Sequence, residues 1–317
     1  MKNGDQRSLA RLISCVEDRQ AGWKDVMKSI YPGIGKACVL GITGSPGAGK
    51  STLAGEIARR FLDRGLSLGI IAVDPSSPYS GGALLGDRLR MRDISTNPGV
   101  FIRSMATRGA LGGLCQAARD VMRIMDAAGK DVVLIETVGV GQDEIEVVSA
   151  SDYVVLVTFP GQGDGIQAIK AGVMEIADLF VVNKCDRDGA DVMASEISAM
   201  LELSSEAGQE RPPVMMTSAF TQEGIDDLCG VLSEFINQKK ARGKPQRDHV
   251  RNEVLGLLER EMVGMLRERI MENGKLESAL DAILEGKGDP YSAAEELMAR
   301  VHLVRSRPGE RKEDTRG

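Results

Sequence analysis

The sequence predicts a doubly wound α/β fold: a domain on a mostly parallel sheet, with helical extensions at its N- and C-terminal ends. Three observations lead there. Short, nearly continuous apolar runs recur at 37–43, 68–73, 132–135, 153–159, 179–182 and 214–216, as expected of strands covered on both faces. Helix-length segments separate these runs and can supply the crossovers that parallel strands require. Directly after the first run, Gly44-Ser45-Pro46-Gly47-Ala48-Gly49-Lys50-Ser51 matches G-x-x-x-x-G-K-[ST] at every fixed position, and Thr52-Leu53-Ala54 opens a helical pattern.

Along the chain, residues 1–36 read as an N-terminal helical extension. Within it Leu9, Leu12, Ile13 and Val16 repeat at helical spacing and Val26, Met27 and Ile30 extend the set, so 8–30 is expected as helix. Residues 37–240 form the P-loop domain. The stretch from Gln238 to Pro245 is basic, contains two helix breakers and reads as a linker. Region 241–304 is expected to be helical, with Val250, Val254, Leu257, Leu258, Met262, Met265 and Leu266 outlining an amphipathic helix. Such a helix either packs on its own domain or serves as a dimerisation arm. The tail 305–317 is polar and expected to be disordered.

Composition narrows the function classes. The formal charge of the 317 residues is -6, and Lys and Arg are spread along the chain apart from the stretch near 240, so nothing points to nucleic acid or a membrane surface. No stretch approaches the roughly 20 apolar residues that a membrane span needs, and a soluble, cytoplasmic protein is expected. The five cysteines are scattered and form no Cys-x-x-Cys pair, which suits reduced thiols better than zinc or disulfides. His249 and His302, the only histidines, lie far apart in sequence, and the 15 methionines read as core filling.

The phosphate loop implies a nucleoside triphosphate. Gly44, Gly47 and Gly49 permit a tight turn in which successive backbone N–H groups, and the N-terminus of the helix that opens near Thr52, can face phosphate oxygens. Lys50 is expected to reach the β- and γ-phosphates, and the Ser51 hydroxyl to hold Mg²⁺. Asn183-Lys184-Cys185-Asp186 follows a strand and matches N-K-x-D, which selects GTP: the Asp186 carboxylate can accept from guanine N1–H and its exocyclic amine, a donor pair that adenine lacks. Ser218-Ala219-Phe220, after the run 214–216, resembles the last base-contacting loop of GTPases, whose backbone N–H groups meet guanine O6. Asp74, Asp87 and Glu136 are candidates for Mg²⁺ and water, though Mg²⁺ usually takes only one or two carboxylates. Glu136-Thr137-Val138-Gly139 stands where many GTPases carry D-x-x-G, so the Gly139 N–H could meet the γ-phosphate and order its loop. Gln142 is the nearest glutamine able to orient water but is not adjacent to Gly139, and slow intrinsic turnover is expected. Lys50, Asp74, Glu136 and Gln142 are thus the candidate catalytic residues.

Taken together, the phosphate loop, Asp74 to Ser77, Gly86 to Met91, Arg108 to Leu114, Glu136 to Gln142 and Asn183 to Asp186 resemble the MeaB/ArgK family. These are GTPases associated with methylmalonyl-CoA mutase and related cobalamin-dependent acyl-CoA mutases. The resemblance spans roughly residues 8–300 and includes Asp289-Pro290-Tyr291-Ser292. It implies a GTP-gated chaperone that helps load intact adenosylcobalamin or expel damaged cofactor, and a homodimer, which favours the arm reading of the C-terminal helices. It also implies a mobile segment after the strand 153–159, where Gln162 and Gly165 depart from the Pro-Gly-Ala-Gly-Asp-Glu form of many members. Three other readings compete. A nickel-type metallochaperone GTPase predicts a histidine-rich tract, an ATPase linked to amino-acid transport conflicts with N-K-x-D, and a GTP-holding module without useful hydrolysis fits the missing water-positioning residue.

Overall fold

Strands buried on both faces alternate their side chains between two cores, which is why their sequences read as unbroken apolar runs. The computed structural model describes residues 5–74, 91–106, 113–137, 148, 150–161, 175–204, 211–242, 247–271 and 274–299. The chain separates into two units, 1–244 and 245–317. In the first, the strands are β1 (Cys38–Gly44), β2 (Leu68–Asp74), β3 (Val100–Ala106), β4 (Val132–Thr137), β5 (Tyr153–Thr158), β6 (Leu179–Asn183) and β7 (Val214–Thr217). Every pairing is parallel and the order is β3-β2-β4-β1-β5-β6-β7. The first unit's helices are α1 (Gln6–Glu17), α2 (Trp23–Ile30), α3 (Lys50–Asp63), α4 (Gly113–Ala127), α5 (Ala190–Ser204) and α6 (Ile225–Arg242), with one further turn at Arg92–Ser95. The second unit contains α7 (Arg247–Met271), α8 (Lys275–Leu284) and α9 (Pro290–Ala299).

Alternation sorts the strand residues. Leu40, Ile70, Leu134, Val155 and Val181 face one core with Leu53 and Ile57 of α3 and Leu228 of α6. Their neighbours Ile71, Val133 and Ile135 turn to the other side, where Leu9, Ile13 and Val16 of α1 meet Val121 and Met125 of α4. Phe180 and Val182 pack on Ile197 of α5. Burial pushes the thiols of Cys38 and Cys229, both in the first core, up to about 12 and about 11. Neither is a ready thiolate at neutral pH.

The structure departs from the sequence reading in three places. A seventh strand, β3, is present where Arg103 and Ser104 interrupt the apolar pattern; it lies at the sheet edge, and Arg103 pairs with Glu17 of α1 and also donates to Ser14 at 3.2 Å. The expected helix over 8–30 is two helices, because Arg19 and Gly22 adopt left-handed φ of 52° and 84°. The Arg19 guanidinium there reaches Asp120 at 2.8 Å and lies 4.0 Å over the Trp23 ring. Gln238 to Arg242 continue α6 rather than forming a linker, and the breakers at 243–246 lie outside the described residues. In α7, of the apolar residues expected to outline one face, Val254, Leu257, Leu258 and Met262 are exposed and Val250, Met265 and Leu266 are half-buried. The tail 305–317 lies outside the described residues.

β1 sits at the centre, between β4 and β5, and the chain is guided into it by the Asp126 carboxylate. That side chain accepts from the backbone N–H groups of Gly35, Lys36 (3.2 Å) and Ala37 (2.9 Å). At the carboxyl end of β1, Gly44 has φ 140°, and a Cβ there would lie 1.8 Å from the Val157 carbonyl oxygen. Gly44→Ala should therefore lower the unfolding free energy by about 3 kcal/mol or more in urea titrations. Gly55→Ala, in open space on α3, should raise it by about 0.5–1 kcal/mol.

Candidate functional site

The carboxyl ends of β1, β4, β6 and β7 bring together most of the residues singled out from the sequence. Beyond β1 the loop turns through Gly47 (φ 78°) and Gly49 (φ 85°), and Gly49 is the N-cap of α3. No side chain caps this helix, so its first-turn N–H groups face the loop and carry the positive end of the helix dipole. Lys50 is only 5% exposed; its ammonium donates to the Gly44 carbonyl at 2.8 Å and the Ser45 carbonyl at 2.9 Å. Ser51, the next residue, donates its hydroxyl to the Glu136 carboxylate at the end of β4, and both side chains are buried. Beneath them the Thr137 hydroxyl donates to Thr43 at 3.0 Å, joining β4 to β1. A buried ammonium, a helix start and a hydroxyl touching a carboxylate form a set able to take a polyphosphate, and the hard oxygens of Ser51 and Glu136 suit a divalent cation.

The second half of the site hangs on Asn183, the last residue of β6. Its buried amide donates to the Ala48 carbonyl at 2.7 Å and accepts from the Ala219 N–H at 3.1 Å and the Thr217 hydroxyl at 3.3 Å. One side chain thus ties the phosphate loop to the loop after β7. Lys184 follows with φ 60°, a left-handed conformation that costs a lysine about 1–3 kcal/mol, and its ammonium donates to the Gly47 carbonyl at 2.6 Å. Burial lowers the Lys184 ammonium below the usual lysine range, and the nearby Arg187 acts the same way. The Asp186 carboxylate is fully exposed and held below the usual carboxylate range chiefly by a hydrogen bond from the Ser218 hydroxyl. That hydroxyl in turn accepts from the Thr221 N–H at 3.1 Å. Phe220 is 91% exposed beside this loop.

Of the remaining candidates, Asp74 ends β2, with its side chain outside the description, and Asp87, Gly139 and Gln142 lie outside the described residues. The segment with Gln162 and Gly165 does too. Sequence reasoning overlooked Thr43 and Thr137, whose contact needs the register of β1 against β4, and Phe159, treated only as the end of a strand. An aromatic residue immediately before Pro160-Gly161 at the carboxyl end of a strand was the available signal.

Comparison with known proteins agrees with this geometry. Residues 9–275 match the family described as methylmalonyl Co-A mutase-associated GTPase MeaB. A chain from Pyrococcus abyssi is 45% identical over 307 residues, covering 95% of this chain and 94% of its own length. The GTPase ArgK of Escherichia coli is 39% identical over 255 residues, 78% of this chain and 77% of that one. Among solved structures, an LAO/AO transport system kinase superposes with a TM-score of 0.66 at 28% identity, covering 93% of each chain.

Because the Asn183 amide satisfies groups on both loops, Asn183→Ala leaves buried partners without their hydrogen bonds. It should lower the stability of the nucleotide-free protein by about 1–3 kcal/mol, read by thermal or urea unfolding without ligand.

Proposed function

Since the chain belongs to the methylmalonyl-CoA mutase-associated GTPase family MeaB, and is therefore a GTP-hydrolysing enzyme, we propose that its hydrolysis gates adenosylcobalamin loading or protection at an acyl-CoA mutase of the methylmalonyl-CoA mutase type. The observation that carries the partner assignment is the family match over residues 9–275. In this reading the protein works as a homodimer through its C-terminal helices.

GTP is bound at the two joined loops. The loop from Gly44 to Ser51 and the first turn of α3, through Thr52, receive the phosphates, and Lys50 exchanges its carbonyl partners for phosphate oxygens. Asp186 accepts from the guanine N1–H and amine, a role supported by the Ser218 hydrogen bond that favours its charged form. Lys184 lies along the base, and the N–H groups of the Ser218 to Phe220 loop meet guanine O6. Ser51 and Glu136, with Asp74 or Asp87, are the residues that would hold Mg²⁺. When bound, Mg²⁺ neutralises charge on the β- and γ-phosphates as the terminal bond breaks. Release of the Ser51 hydroxyl from Glu136 frees both oxygens for that task. Gly139 and Gln142 are assigned to sensing the γ-phosphate and orienting water. Among the described residues no helix is long and apolar enough to cross a membrane.

An amino-acid transport ATPase is the second reading, supported by the likeness to the transport system kinase. Adenine, however, offers Asp186 no N1–H and amine pair, which would leave a desolvated carboxylate unsatisfied.

The test is GTP hydrolysis with and without a purified cobalamin-dependent acyl-CoA mutase from the same source, with ATP as control. Stimulation confined to GTP is expected; equal rates with and without mutase would remove the partner assignment, and preference for ATP would favour transport. Lys50→Ala should cut GTP binding or turnover by at least about 10²-fold while leaving the unfolding transition in place. Asp186→Asn should weaken GTP relative to xanthosine triphosphate, measured by competition, because the amide presents a donor where the xanthine base offers an acceptor.

A further inference from the structure

β5 lies between β1 and β6, and all three run parallel, so its carboxyl end emerges between the phosphate loop and the Asn183–Asp186 loop. The residue at that point is Phe159. Its ring stands beside both loops. The Lys184 ammonium stands 4.1 Å from the ring centroid, well within the range of a cation–π attraction. A Cβ built on Gly47 would lie 3.9 Å from the ring's Cζ, so the ring stands beside the crest of the phosphate loop with room for about a methyl group between them. The same ammonium donates to the Gly47 carbonyl at 2.6 Å, which closes a three-part contact of ring, cation and loop.

From this juxtaposition we infer that Phe159 is a positioning residue for nucleotide binding: its ring holds Lys184 across the phosphate loop and thereby sets the spacing between the base-binding and phosphate-binding halves. The inference rests on the guanine reading of Asn183 to Asp186. The physical need for such a residue is visible in the backbone. Lys184 adopts a left-handed φ of 60° that a lysine disfavours, and its long side chain has many rotamers in water. A carbonyl at one end fixes only the tip. A ring face under the ammonium confines it from a second direction, so the stem is ordered before the base arrives and less freedom is lost on binding. The ring is itself anchored because Phe159 packs against the core shared by β1, β5 and α3. An aliphatic residue of similar size would fill the space but offer no negative ring face to the cation.

A double-mutant cycle on the full chain tests this, with equilibrium titration of GDP as the readout. Phe159→Leu should weaken GDP by about fivefold, the equivalent of a single cation–π contact of about 1 kcal/mol. Phe159→Tyr, which keeps the ring face, should stay within about twofold of the parent. In a Lys184→Met background, where the stem remains and the charge is gone, Phe159→Leu should add less than about twofold. Should the leucine variant fail to fold, Phe159→Met repeats the cycle with the volume kept and the ring removed. A fivefold loss that persists undiminished beside Lys184→Met, or a tyrosine variant as weak as the leucine one, overturns the inference and leaves Phe159 as packing. Failure of the parent to bind GDP, or tight binding by Lys184→Met, overturns the guanine reading together with the inference.

Discussion

The buried amide of Asn183 is the joint on which the candidate site depends. It reaches the Ala48 carbonyl in one direction and the Ala219 N–H and Thr217 hydroxyl in the other, so three loops from β1, β6 and β7 share one side chain. An amide is suited to this because it donates and accepts at once, and burial makes each of those bonds costly to lose. The fit is close: a Cβ on Gly49 would stand 2.6 Å from the Asn183 Nδ2. Glycine at that position and asparagine across from it are therefore one requirement, seen from two loops.

Around that joint the sheet provides the rigidity. β1 is flanked by β4 and β5, and each of its neighbours sends a loop toward the same end. Ser51 and Glu136 meet because α3 starts where β1 ends and β4 runs beside it in register, with Ile42 opposite Glu136. Lys50, buried among loop carbonyls, illustrates a tension typical of binding sites: a charge removed from water is held by backbone dipoles until a stronger anion is offered. The loops carry the chemistry, and the strands determine how far apart it is.

Much of this was legible without coordinates, for physical reasons that differ by element. Strands β1, β2, β4, β5 and β6 announce themselves because burial on both faces favours an unbroken apolar run, and β7, though a partly exposed edge strand, is apolar at Val214 to Met216. β3 does not, since as an edge strand it carries Arg103, whose charge is met by Glu17 of a helix more than 80 residues earlier. The break at Arg19 was hidden for the same reason: its left-handed turn is supported by Asp120 and Trp23, partners that helical periodicity cannot reveal.

The sequence by itself determined the fold class, the phosphate loop and the N-K-x-D loop, because each rests on residue types at short, fixed spacing: glycines that alone tolerate their backbone angles, and a lysine, serine, asparagine and aspartate with defined donors and acceptors. Only the tertiary structure decided that Asn183 spans two loops, that Ser218 supports the charge of Asp186, and that the Phe159 ring lies beside the Lys184 ammonium where it meets Gly47. These are contacts between strand ends distant in sequence, and parallel pairing and register, to which local patterns are blind, bring them within hydrogen-bonding or van der Waals range.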